Sequence, residues 1–215
     1  MISAVLWDFG GVLTTSPFEA FARFERERGL PADFIRTINS TNPETNAWAQ
    51  LESSRISVEE FDEAFARESA AQGHRVAGAE VLALLAGDLR PDMVQALRTI
   101  KQTHKVGCIT NNVRQAGVGP GMARDSNRAT RFAEVMALFD TVIESSKVGI
   151  RKPDPEIYLL ACRELAVAPA EAIFLDDLGI NLKPARALGM KTIKVVQPVD
   201  ALLELESHLG IRLRP

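Results

Sequence analysis

The chain reads as an α/β protein: a parallel sheet covered on both faces by helices and interrupted once by a helical insertion. Three observations carry this reading. Short apolar runs recur along the chain with helical stretches between them. The first run, Ala4-Val5-Leu6-Trp7, ends on an acid and two glycines, as a buried parallel strand does. Residues 16–90 then break the alternation, holding helix signals and no convincing strand.

After Ala4–Trp7, the strands are expected at Val106-Gly107-Cys108-Ile109, Thr141-Val142-Ile143, Ala172-Ile173-Phe174-Leu175 and Thr192-Ile193-Lys194-Val195-Val196. A helical stretch precedes each of these four, which specifies right-handed βαβ units. Within the insertion, Ser16-Pro17-Phe18-Glu19 reads as a capping box with proline at the first helical position, and Gly29 as its stop. Ser57-Val58-Glu59-Glu60 is a second box, opening a helix with one face at Phe61, Ala64, Phe65 and Glu68 and ending at Gly73. Pro91 opens a helix to Thr103, Asp154-Pro155-Glu156 starts another, and Gly189 closes one from Ile180. The expected division is a core of residues 1–15 and 91–215 and a cap of residues 16–90. The insertion leaves after the first strand, where α/β active sites form, so it is expected over the sheet's carboxyl edge.

Composition removes several function classes. The 215 residues are 46% apolar and 25% charged, with 14 Gly and 11 Pro, which is neither disordered nor fibrous. A formal charge of −3 gives no footprint for nucleic acid or an anionic membrane. The N-terminal MISAVLWDFGGVL has no basic region and is broken by Asp8, so it is a strand rather than a signal peptide, and no apolar run is long enough for a membrane helix. Cys108 and Cys162 sit in apolar stretches without a CxxC partner, as reduced core residues of a cytoplasmic protein. The Gly117–Gly121 loop lacks the Gly-Lys-Ser/Thr ending of a phosphate loop.

Polar groups stand at or beyond four predicted strand ends: Asp8, Thr110 with Asn111, Lys152, and Asp176 with Asp177. In an open α/β sheet these ends meet in one crevice. Three converging carboxylates raise one another's pKa unless a cation neutralises them. Oxygen donors without His or Cys suit Mg²⁺, which shares its shell with phosphate. Lys152 and the Thr110 hydroxyl supply donors for a phosphoryl group's other oxygens, and a carboxylate can serve as the nucleophile.

Trp7-Asp8-Phe9-Gly10-Gly11-Val12-Leu13, Ile109-Thr110-Asn111, Lys152-Pro153 and Phe174-Leu175-Asp176-Asp177 resemble, in order, the four motifs of the haloacid dehalogenase-like (HAD) hydrolase superfamily. Residues 143–149 and 175–186 resemble in particular the phosphatase domain at the N-terminus of soluble epoxide hydrolases. The resemblance spans nearly the whole chain and implies a HAD-like Rossmannoid core with a helical cap. It implies a Mg²⁺-dependent phosphate monoester hydrolase acting on a small phosphorylated metabolite through an aspartyl-phosphate. Asp8 matches the nucleophile and a metal ligand, Thr110 the phosphoryl-binding hydroxyl with Asn111 beside it, and Lys152 the neutralising lysine. Asp177 matches the direct metal ligand, Asp176 one acting through water or from behind, and Gly10 a ligand through its backbone carbonyl. Asn181, one helical turn after Asp177, is placed to steady that loop.

One departure stands out. Family phosphatases carry a general acid two residues after the nucleophile, and here that position is Gly10. A positioned acid is worth roughly 10²–10⁴ in rate. Two rivals therefore remain: a metal-independent 2-haloacid dehalogenase, which also lacks this acid, and a phosphate-binding protein without turnover. His74, His104 and His208 fall outside the motifs and read as surface residues. Phe18, Phe21, Phe24 and Trp48 read as cap core, with one or two lining the substrate entrance left open.

Overall fold

The computed structural model describes residues 1–85, 87–112 and 126–214. Five parallel strands form one sheet: β1 (Ala4–Trp7), β2 (Lys105–Thr110), β3 (Thr141–Glu144), β4 (Ala172–Asp176) and β5 (Lys191–Lys194), in the order β3-β2-β1-β4-β5. The helices are α1 (Phe18–Arg28), α2 (Phe34–Ser40), α3 (Ala47–Glu52), α4 (Val58–Ala71), α5 (Gly78–Ala83), α6 (Pro91–Ile100), α7 (Ser126–Met136), α8 (Ser145–Val148), α9 (Pro155–Leu165), α10 (Gly179–Ala187) and α11 (Pro198–Leu209). The Gly117–Gly121 loop lies outside the described residues.

Strand alternation explains the layers. In β1, Val5 and Trp7 enter one core, shared with Met93 and Leu97 of α6 and Leu202 and Leu205 of α11. Ala4 and Leu6 enter the other, with Ile157 and Tyr158 of α9 and Leu182 of α10. All four are fully buried, the mark of a central parallel strand covered on both faces. A third core belongs to the insertion alone, joining Phe21, Ile35, Leu51, Phe61, Phe65 and Leu82 from α1 to α5.

The boundaries differ from expectation in instructive ways. β5 stops at Lys194 rather than Val196, because it is an edge strand and its ladder ends where β4 ends, at the Asp176–Lys194 pair. β2 and β4 each extend to the polar residue that was expected just past them, Thr110 and Asp176. The helix from Pro91 ends at Ile100, followed by a turn through Thr103. The Ser57 capping box is present, with Glu60 N 3.2 Å from Ser57 Oγ and Ser57 N 2.7 Å from Glu60 Oε2. The Ser16 box is not. Pro17 occupies the cap position without a side-chain bond, and the Ser16 hydroxyl donates to Asp177 Oδ2 at 3.4 Å. The same oxygen accepts only a long bond from Phe18 N, at 3.5 Å, so the hydroxyl is shared between its helix and the acidic strand ends.

The chain enters and leaves the insertion side by side. Thr14 bridges Leu89 antiparallel. Thr15 N donates to Asp88 O at 2.8 Å, and Arg90 N donates to Leu13 O at 2.8 Å.

Candidate active site

Register places the polar strand ends together. Trp7 is level with Leu175 and with Cys108. Asp8 therefore stands level with Asp176 and with Ile109, and Thr110 is one residue further along the same edge. Asp8 N continues the ladder, donating to Leu175 O at 2.8 Å.

Lys152 arrives from the loop after α8 and is only 1% exposed. Its Nζ lies 2.8 Å from Asp8 Oδ1 and 2.8 Å from Asp176 Oδ2. Phe9 N also donates to Asp8 Oδ1, at 2.7 Å, while Oδ2 carries no hydrogen bond among the described residues. Asp176 is saturated: Leu178 N donates to Oδ1 at 2.8 Å, and Asn181 Nδ2 donates to Oδ1 and Oδ2 at 3.1 and 3.0 Å. It is fully buried and braces Lys152 and the β4–α10 turn. Asp177 is the opposite case. It faces the cleft, and the long bond from Ser16 is its one partner side chain among the described residues.

One carboxylate oxygen each from Asp8, Asp176 and Asp177 lie within 4.8 Å of one another, against the single ammonium of Lys152. Burial raises the Asp8 carboxyl well above the ordinary range; Asp176 and Asp177 add to this, and Lys152 opposes it. Burial and then Asp176 push Asp177 up to about 6. Burial works against the Lys152 charge, yet Asp176 and Asp8 hold the ammonium above the ordinary lysine range. The donor set is all oxygen, carries excess negative charge and keeps Asp177 open, so it fits a hard divalent cation.

The other expected residues divide in two. Thr110 lines the cleft, and its hydroxyl has no hydrogen bond among the described residues. Asn111 also lines it, but its amide is engaged: Lys152 N donates to Oδ1 at 2.9 Å, and Nδ2 donates to Lys152 O at 3.0 Å. Gly10 is exposed, outside the left-handed backbone region, with open space where a β-carbon would sit. Gly11 is the constrained glycine, at φ +74°.

These groups open on a cleft of about 920 Å³, walled on its far side by Phe18 and Phe21 of α1, Arg36 of α2, Trp48 of α3, Arg55 and Leu85. Phe21 is also buried core; Phe24 belongs to the core without lining the cleft. No histidine lines it: His74 is exposed, and His104 and His208 are partly exposed elsewhere. Both cysteines are free and buried. No helix among the described residues is long and apolar enough to cross a membrane.

Sequence reasoning missed Glu52 and Arg151, both of which line the cleft. Arg151 Nη2 lies 2.6 Å from Glu52 Oε2. Burial raises the Glu52 carboxyl against the pull of Arg151. Arg151 adjoins Lys152, which was a signal; Glu52 sits in an unremarkable helix and had none.

Comparison with known proteins agrees with the geometry. The family model of haloacid dehalogenase-like hydrolases matches residues 2–189. Mouse acyl-CoA dehydrogenase family member 10 is 34% identical over 98% of this chain and 19% of its own length. Mouse bifunctional epoxide hydrolase 2 is 35% identical over 95% of this chain and 38% of its own length. The chain thus spans about a fifth to two fifths of these curated relatives. A phosphatase of Mycobacterium tuberculosis is 32% identical over 97% of this chain and 95% of its own. Among solved structures, a HAD family enzyme of Bacteroides thetaiotaomicron, in complex with magnesium and inorganic phosphate, aligns with TM-score 0.58 and 20% identity over 90% of this chain and 94% of that one. The L-2-haloacid dehalogenase of Xanthobacter autotrophicus aligns with TM-score 0.60 and 22% identity over 98% and 84%. The chain belongs to the haloacid dehalogenase-like hydrolases.

Proposed function

We propose that this hydrolase cleaves phosphate monoesters of small metabolites through a phosphoryl-aspartate on Asp8, with helices α1 to α5 acting as a cap over the site. The observation that carries the reading is the convergence of Asp8, Asp176 and Asp177 around one buried lysine in a cleft. Displacement of halide from carbon has no use for that excess of negative charge, whereas a cation-bound phosphoryl group does.

Lys152 and the Phe9 amide hold Asp8 Oδ1, which leaves Oδ2 to attack phosphorus in line. The new bond is Oδ2–P, the broken one joins phosphorus to the ester oxygen, and the leaving oxygen departs with that electron pair as an alkoxide or aryloxide that takes its proton from solvent. Water then attacks phosphorus, the Oδ2–P bond breaks with its electron pair returning to Asp8, and the water's proton passes to the released inorganic phosphate or to solvent. Lys152 offsets charge on both nucleophile and phosphoryl oxygens, and the free Thr110 hydroxyl donates to the phosphoryl group. Asn111 serves by clamping the backbone of Lys152. Mg²⁺ would be held by Asp8, the Gly10 carbonyl and Asp177, with Asp176 behind them. When bound, it neutralises the phosphoryl oxygens as a Lewis acid. The organic part of the substrate lies against Phe18, Phe21 and Trp48.

A screen of phosphate monoesters with Mg²⁺ and with exhaustive chelation tests this. Metal-dependent phosphate release, lost in a folded Asp8→Asn variant, is the expected result. Chloride release from a 2-haloacid in chelator, without phosphate release, would replace this reading by the dehalogenase one. Binding of a beryllofluoride phosphate analogue with no turnover of any ester would leave a binding protein.

A further inference from the structure

Helix α3 ends on Glu52, a residue 7% exposed, and its carboxylate joins the insertion to the α/β core. Oε2 lies 2.6 Å from Arg151 Nη2 and accepts from Asn111 Nδ2 at 3.3 Å. Both partners lead to Lys152. Arg151 precedes it in the chain and also donates from Nη1 to Pro43 O of the insertion, at 2.8 Å. Asn111 grips both the N–H and the carbonyl of Lys152. Lys152 Nζ then reaches Asp8 and Asp176. A continuous polar path therefore runs from α3 to Asp8.

A desolvated carboxylate–guanidinium pair is weak evidence for stability, because desolvation offsets most of the attraction. What it fixes well is geometry. We infer that Glu52 is a positioning residue: through Asn111 and Arg151 it sets where the Lys152 ammonium sits between Asp8 and Asp176, so docking of α3 and assembly of the site are one event. The kinetic consequence rests on the phosphatase reading; the geometric one does not.

A neighbouring contact supplies the control. Ser54 Oγ donates to Ser146 O at 3.0 Å, also joining insertion to core but with no bond from either serine to Lys152, Asn111 or Arg151 among the described residues. The 215-residue chain labelled with ¹⁵N-lysine reports the Lys152 Nζ resonance, assigned by its absence in Lys152→Arg. Glu52→Gln should move that resonance and lower kcat on p-nitrophenyl phosphate with Mg²⁺ by roughly 10–100-fold with KM little changed, the scale of a small misplacement. Ser54→Ala should do neither. If Glu52→Gln does not fold, Glu52→Asp keeps the charge, loses the reach and should shift the resonance likewise. An unmoved resonance with wild-type kcat in the Glu52 variant overturns the inference, as does an equal response to Ser54→Ala. An inert wild-type protein would sink the phosphatase reading alone, since the resonance still decides the coupling.

Discussion

Gly11 lies against Asp177 so closely that a β-carbon on Gly11 would stand 2.2 Å from Asp177 Oδ2. At φ +74° the position is also costly for any residue with a side chain, by about 1–2 kcal/mol. Gly11→Ala should therefore lower the melting temperature and weaken Mg²⁺ binding by forcing Asp177 aside. Gly10→Ala, with open space and ordinary backbone, should shift stability by no more than about 0.5 kcal/mol. Calorimetric melts and magnesium titrations on both variants check this; equal effects would refute the assignment of the constraint to Gly11.

Lys152→Met removes the one cation that pairs with Asp8 and Asp176 among the described residues and leaves two buried carboxylates without that partner. Breaking such a pair costs about 3–5 kcal/mol, and phosphate release should vanish with it. Denaturant unfolding measures the first and a phosphate assay the second. A loss below 1 kcal/mol would mean that water reaches the carboxylates.

The Gly10 position permits a sharper experiment on proton transfer. An aryl or acyl phosphate departs as a stable anion and should be hydrolysed by the native chain, while an alkyl phosphate should be far slower. Gly10 has open space at its β-carbon and an ordinary backbone, and Gly10→Asp should raise the alkyl rate by up to roughly 10²–10⁴, the aryl rate much less. Equal gains on both leaving groups would show that another residue supplies the proton.

Asp177 makes cation binding depend on pH. Its folded-state carboxyl is raised to about 6 from 3.8 by burial and Asp176. The stability its protonated form contributes is complete below 3.8 and is lost as pH rises through about 6. A bound cation needs the ionised form, so apparent Mg²⁺ affinity should rise over that same window. The melting-temperature gain from millimolar Mg²⁺ should be larger at pH 7.5 than at pH 5. A gain independent of pH would remove Asp177 from the ligand set.

Much of this was legible in the sequence because charge at the end of a fully apolar run has few explanations. Asp8 and Asp176 each follow such a run, and parallel register then brings them level. Contacts made across the insertion were not legible, because nothing local marks them. Glu52 ends the short, mostly apolar helix α3 and meets Arg151 and Asn111 only after folding. Ser16 carried a local capping signal, and its hydroxyl also bonds the distant Asp177, which no local pattern marks. For the glycine pair, sequence drew attention to Gly10 for the side chain it lacks, while the backbone demand fell on Gly11.

The bonds joining Thr14 and Thr15 to Leu89 and Asp88 make a narrow neck at the root of the insertion. Because its two ends are tied there, the chain between them can lengthen or shorten away from Glu52 and Pro43 without pulling on β1 or α6, and closing a longer loop costs little. Natural variation that spares the Glu52 and Pro43 contacts is therefore free to rework the far wall of the cleft while the carboxylate edge stays put. Across a lineage, such a molecule would change what it accepts long before it changed what it does.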